Sequence, residues 1–359
     1  MKKGILIGAL AGGLTLGAGV AEAGDIVGVA NGAELAAAIE AANSDSTIRV
    51  IRCQEKAACD VVGTLPVYTG AHPLTIDGHS STIDATGITD EDGFASVGGG
   101  AVKLVRLNFV GGLSGIYVEV PGDKTGGQRV ELKRVTVRDA GQHGVFVSDQ
   151  AYSVAGVRLF ISKSKFFDNG FDGMNREGVR VNETSKGKIK AIISDSFFGG
   201  NAADGISLNE RGGGGVLADV VNSRFVDNGS NPGESGNPED GFDIDEFGAG
   251  DVWLTVRNSY FNRNFDDGLD VDENESGSLY VDLDGIFAKS NRDQGVTLDE
   301  TKIGDVEATI SNSTIVNNDV SEGYDIKAVQ NNSGGGTLML DNVVTDDWWL
   351  SGVVLTLVP

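Results

Sequence analysis

The sequence predicts an all-β fold, a single-domain parallel β-helix solenoid with three short strands per rung. Three observations carry that prediction. A glycine-led strand recurs as Glu239-Asp240-Gly241-Phe242-Asp243-Ile244-Asp245-Glu246, then Asp266-Asp267-Gly268-Leu269-Asp270-Val271-Asp272-Glu273, then Asp293-Gln294-Gly295-Val296-Thr297-Leu298-Asp299-Glu300, its glycines 27 residues apart. A short unit with serine, an apolar residue and asparagine at fixed offsets accompanies it: Ser164, Phe166, Asn169; Ser196, Phe198, Asn201; Ser223, Phe225, Asn228; Ser259, Phe261, Asn264; Ser313, Ile315, Asn318. Alternating stretches such as 251–256 and 306–310 supply the third strand. A fixed period with fixed chemistry stacks equivalent side chains into columns.

Taken in order, residues 1–23 read as a secretory signal peptide: Lys2 and Lys3, a glycine-diluted apolar run, and Ala21-Glu22-Ala23 as a small-x-small cleavage site. Export to a bacterial periplasm or beyond follows, and no later stretch is long and apolar enough to span a bilayer. Residues 24–130 hold a capping helix and the first coils. The alanine-rich segment 34–42 places Leu35, Ala38, Ile39 and Ala42 on one helical face, suited to covering the open end of a solenoid. Strands follow at 48–53 and 74–83. Cys53 and Cys59, the only two cysteines, predict a local disulfide in an oxidising compartment.

Residues 131–340 form the regular rungs. Two are longer than the norm, Gly144 to Gly178 and Gly205 to Gly241, with the extra length near 170–177 and 229–238. Both insertions precede the same strand, so both should wall the same face. The phenylalanine column predicts core, and the asparagine column an internal amide ladder. Residues 341–359, with Trp348-Trp349, predict a C-terminal cap.

A formal charge of -24 excludes the basic footprint that nucleic acid needs. Divalent cations and polysaccharides are the partners it favours. Period-two alternation turns Phe242, Ile244, Leu269, Val271, Val296 and Leu298 inward, so Asp243, Asp245, Asp270, Asp272 and Asp299 point out. Glu246, Glu273 and Glu300 are expected as a second outer column, together with Glu183 and Glu210. Carboxylates ~4.8 Å apart repel by ~1 kcal/mol in water and ~3.5 kcal/mol at an effective dielectric of 20. Splaying into solvent, retained protons or bound cations could each relieve this. Oxygen-only ligands favour Ca²⁺, which makes Asp243, Asp245, Glu246, Asp270, Asp272, Glu273, Asp299 and Glu300 the candidate metal residues.

On these motifs the chain resembles the right-handed parallel β-helix, or pectin-lyase-like, superfamily over nearly its whole mature length. That superfamily holds polysaccharide lyases, glycoside hydrolases, uronate epimerases and non-catalytic adhesins. Four rungs are also similar to polygalacturonase-like motifs, at Pro238-Glu239-Asp240, Asp266-Asp267, Asp293-Gln294-Gly295 and Asp325-Ile326-Lys327. The resemblance implies Asp240, Asp266, Asp267 and Lys327 as catalytic residues, while Gln294 and Asp325 stand where that family has histidine and arginine. The expectation is an exported protein that binds, and as lyase or hydrolase cleaves, a polysaccharide on an acidic, calcium-binding face. The alternative is a non-catalytic structural, adhesive or cation-binding solenoid.

Overall fold

The computed structural model describes residues 24–55, 59–149, 153–170, 176–229, 239–318, 324–331 and 333–358. The signal peptide expected at 1–23 and most of the insertions expected to wall the face lie outside the described residues.

Apart from one helix, the regular secondary structure of the described residues is all strand. Successive rungs pair in parallel and in register, residue above equivalent residue. One ten-stranded sheet runs from Phe94–Ser96 through Ile206–Glu210, Phe242–Glu246, Leu269–Glu273 and Val296–Glu300 to Trp348–Ser351. The other strands form two tracks, one of strands such as Val216–Val221 and Val252–Arg257, the other of three-residue strands such as Phe197–Gly199 and Arg224–Val226. These tracks merge in the long strands Leu74–Ala85 and Val102–Gly111. A bulge at Asp77 to Ser81 bends the first of these, with His79 and Ser80 at positive φ.

The corners are set by residue chemistry. Lys163, Asp195, Asn222, Asn258 and Asn312 occupy one left-handed turn position, at φ between 49° and 54°. Asparagine and aspartate tolerate that conformation best, which accounts for their density there. Each rung's glycine answers a different demand. A Cβ on Gly241 would lie 2.5 Å from the carbonyl oxygen of Gly268 and 2.6 Å from Asn264 Nδ2, so the stack admits no side chain.

The interior is built from columns. Phe166, Phe198, Phe225 and Phe261 stack with ring centroids 5.2, 4.9 and 5.0 Å apart, all fully buried. Asn169, Asn201, Asn228, Asn264, Asn291 and Asn318 form the expected amide ladder, each Nδ2 donating to the next Oδ1 at 2.8–3.0 Å. Each Nδ2 also donates to a backbone carbonyl, as Asn228 does to Phe198 at 3.2 Å.

The helix forms at Gly32–Ser44, N-capped by the side chain of Asn31, and buries Leu35, Ala38, Ile39 and Ala42 over the first strands. Cys53 and Cys59 are disulfide-bonded. At the other end, in the segment expected as a cap, Trp348–Ser351 and Val353–Val358 extend both sheets by a further rung. Val353 and Leu355 continue the core pattern beneath Gly336 and Leu338, while Trp348 and Trp349 stay exposed.

Candidate functional site

The outer surface of the ten-stranded sheet carries the acidic residues. Strand alternation and register place Tyr117, Phe146, Arg180, Ser207, Asp243, Asp270, Thr297, Lys327 and Trp349 in one outward column. A parallel column holds Asn182, Asn209, Asp245, Asp272 and Asp299. At the start of these strands, one residue before the glycine, stand His143, Glu177, Asp204, Asp240, Asp267 and Gln294, all buried. The outward column is aromatic at both ends, basic inside those ends and acidic at its centre.

Two sets of three carboxylates converge there. Asp240, Asp243 and Asp270 bring one oxygen each within 4.8 Å of one another, and so do Asp266, Asp267 and Asp293. Oδ1 of Asp270 is buried without a donor. Burial pushes Asp240, Asp243 and Asp270 well above the usual carboxylate range, and the charges of neighbouring aspartates push the same way. The same two causes raise Asp266 to about 6. Burial raises Asp267 to about 7, against the hydrogen bond from Thr297, and Asp272, with Asp299 and Asp245 beside it, also to about 7. Burial and mutual repulsion thus favour the protonated form of these carboxyls.

The column before the glycine also ties rungs together, a role not foreseen from sequence. Oδ1 of Asp204 accepts from the backbone N–H of Asp240 at 2.7 Å, Asp240 from Asp267 at 2.7 Å, and Asp267 from Gln294 at 2.6 Å. Thr297 Oγ1 donates to the other oxygen of Asp267 at 2.5 Å. Of the residues implied as catalytic, Asp240 and Asp267 are thus buried and partly engaged, and Asp266 is half-buried beside them. Lys327 Nζ donates to Asp299 Oδ2 at 2.7 Å. Burial lowers the pKa of that amine, but Asp299, with Asp270 and Asp267 behind it, reverses the effect and leaves it raised. The pair with Asp299 thus favours the charged form of Lys327.

The expectation for the glutamates is corrected. Glu246, Glu273 and Glu300, like Glu183 and Glu210, are fully buried at the end of their strands and face inward. They continue the inward positions Phe242 and Ile244 at the next step of two, so they cannot reach a cation on the outer face. Asp243 and Asp270 do lie in a convergent set, with Asp240. Asp245, Asp272 and Asp299 keep to the adjacent column, where Asp299 is paired with Lys327.

A further group lies at the N-terminal side of the face. His143 Nδ1 and Glu177 Oε2 are 2.5 Å apart, and Arg180 Nη1 donates to Glu177 Oε1 at 2.5 Å. Phe146 packs on the His143 ring at 4.7 Å. The signal for this group was a polar residue before every glycine.

No protein-family model matches the chain, and comparison with curated proteins finds no match. Among solved structures, ORF18 of Geobacillus virus E2 superposes with a TM-score of 0.50 at 14% identity, covering 93% of this chain and 62% of that one. The chain is a parallel β-helix. A mutant of the periplasmic alginate epimerase AlgG superposes with a TM-score of 0.42 at 12% identity, over 88% of this chain and 74% of that one. The solenoid thus spans less than two thirds of the length of the viral protein.

Proposed function

We propose that the protein is a polysaccharide-binding β-helix that lays a glycan chain along the outward column of the ten-stranded sheet, with Ca²⁺ at the convergent carboxylates. The observation that carries this reading is the composition of that single column. Tyr117 and Phe146 at one end and Trp349 at the other offer ring faces suited to sugars. Arg180 stands two rungs before Asp243, and Lys327 two rungs after Asp270. From Phe146 to Trp349 the track would run ~34 Å, at ~4.8 Å per rung step, room for several sugar units.

Asp240, Asp243 and Asp270 would hold the cation through oxygen alone, as Ca²⁺ prefers, with further positions open to sugar hydroxyls or water. Asp266 and Asp267 then suit general acid and base roles in glycosidic hydrolysis, since burial raises both toward neutrality. A lyase reaction with Lys327 as base is disfavoured because its amine is held protonated by Asp299. The test is a glycan binding and turnover screen with and without Ca²⁺, repeated with Asp270→Asn and Asp267→Asn. Binding that needs Ca²⁺ and fails in Asp270→Asn, with turnover lost in Asp267→Asn, is the expected result. Binding indifferent to Ca²⁺ and to Asp270→Asn sinks the reading.

One observation favours a non-catalytic cation-binding solenoid as the second reading. Asp204, Asp240 and Asp267 each hold the next rung's backbone N–H, a structural employment that binding alone does not require. Ca²⁺-dependent melting with no turnover on any glycan would select it.

A further inference from the structure

The inner corner at the end of the same strands carries a second column that the proposed function does not use: Asp149, Glu183, Glu210, Glu246, Glu273 and Glu300, closed by Gln330. The five glutamates are fully buried, and Asp149 is 4% exposed. One oxygen of each glutamate caps the turn that follows. Oε1 of Glu183 accepts from Gly187 N at 3.1 Å, and Ser185 N donates to both its oxygens at 3.2 Å. Oε1 of Glu210, Glu246, Glu273 and Glu300 accepts from the N–H two residues on, at 2.8, 3.0, 3.1 and 2.8 Å.

The carboxyls of Glu183, Glu210, Glu246 and Glu273 also meet those of adjacent rungs. No N–H or hydroxyl reaches Oε2 of Glu210, Glu246 or Glu273. The groups that act on Glu183 are Glu210, Asp149 and the N–H of Gly187; those on Glu210 are Glu246, Glu183 and the N–H groups of Gly212 and Gly215. Glu246 meets Glu210, Glu273 and the N–H of Gly248; Glu273 meets Glu246, Glu300 and the N–H of Glu275. These neighbours include no lysine or arginine. An ionised carboxylate only accepts, so adjacent buried carboxylates repel unless a proton lies between them. At the end of the column Gln330 supplies a donor: its Nε2 lies 2.6 Å from Glu300 Oε2.

We propose that this column is a proton-sharing ladder, in which protonated Glu183 and Glu246 donate to the carboxylate of Glu210 between them, so that the fold takes up protons as it forms and weakens in alkaline solution. The electrostatics agree with that alternation. Burial, then the hydrogen bonds with neighbouring carboxyls, raise Glu183 to about 9 and Glu246 to about 10. Burial alone would raise Glu210 too, but the hydrogen bonds it accepts from Glu246, Glu183 and two backbone N–H groups bring it below its ordinary value. The sign follows from linkage: Glu183 contributes stability that is full below its ordinary 4.5 and is lost as pH rises to about 9.

The test combines infrared spectroscopy with melting curves on the full protein. Wild type at pH 7 should show a protonated-carboxyl band that resists exchange into D₂O. Glu183→Gln keeps a donor where the protonated acid stood, as Gln330 does, and should weaken that band. It should also flatten the fall of Tm between pH 5 and 9 by the equivalent of about one proton. Glu210→Gln replaces the shared acceptor and should lower Tm throughout that range. Asp270→Asn, on the outer face, should leave the exchange-protected band unchanged. Absence of that band in wild type overturns the proposal whether or not the variants fold. So does a Glu183→Gln protein with the wild-type pH slope, or a Glu210→Gln protein as stable as Glu183→Gln.

Discussion

The asparagine corner and the glutamate corner are the same device made from different chemistry. Both are buried columns of identical side chains running through successive rungs, and both tie backbone N–H groups to the stack. A primary amide carries donor and acceptor, so Asn201, Asn228 and Asn264 hydrogen-bond one another without added protons. A carboxylate has no donor, so the glutamate column needs protons or a donor such as Gln330. The acidic outer face is a third solution to the same stacking, half-buried and open to cations. What separates the two corners is the partner each column needs: another amide or a proton.

Exchanging chemistry between the corners should give the largest effect. Asn228→Asp puts an acceptor-only group into the amide ladder and is expected to cost about 3–5 kcal/mol at neutral pH, with partial recovery in acid, read from denaturant curves at pH 4 and 7. A loss that does not change with pH would break the comparison. Next comes the outer face. Ca²⁺ at about 100 times its Kd should stabilise the protein by about 2.7 kcal/mol, and calorimetric melting of Asp270→Asn should show much less.

The Ca²⁺ affinity should also rise with pH. Asp240, Asp243 and Asp270 are raised well above the usual carboxylate range, so protons compete with the cation there, and the neighbouring Asp266 and Asp272, raised to about 6 and about 7, add negative charge to the face as they lose their protons. In cation-free protein these two groups act in the opposite sense, their contribution to stability falling as pH rises through the same window. Titration calorimetry between pH 5 and 8 measures the first effect. Asn228→Ala, which deletes the amide without adding charge, should cost about 1–3 kcal/mol independently of pH. Smallest of all, Arg263→Ala removes a half-exposed pair with Asp227 at 2.7 Å and should change stability by at most about 1 kcal/mol.

Much of this was legible in the chain. The 27-residue spacing of Gly241, Gly268 and Gly295 and the recurrent Asn and Phe specify a stacked solenoid, its amide ladder and its ring stack. They do so because a strand's period of two and an unbroken repeat leave one consistent assignment of inside and outside. The outward aspartates follow from the same rule. The glutamates did not, although alternation from Phe242 through Ile244 leads inward to Glu246. A charged side chain is expected outside, and only the stack reveals that another carboxyl lies one rung away. The convergence of Asp240 with Asp243 and Asp270, and the pairing of Lys327 with Asp299, were likewise decided by tertiary structure. Sequence fixes which columns exist and which way a strand's alternation points; the distances between neighbouring rungs decide which acids meet, which are neutralised and which stay free to act.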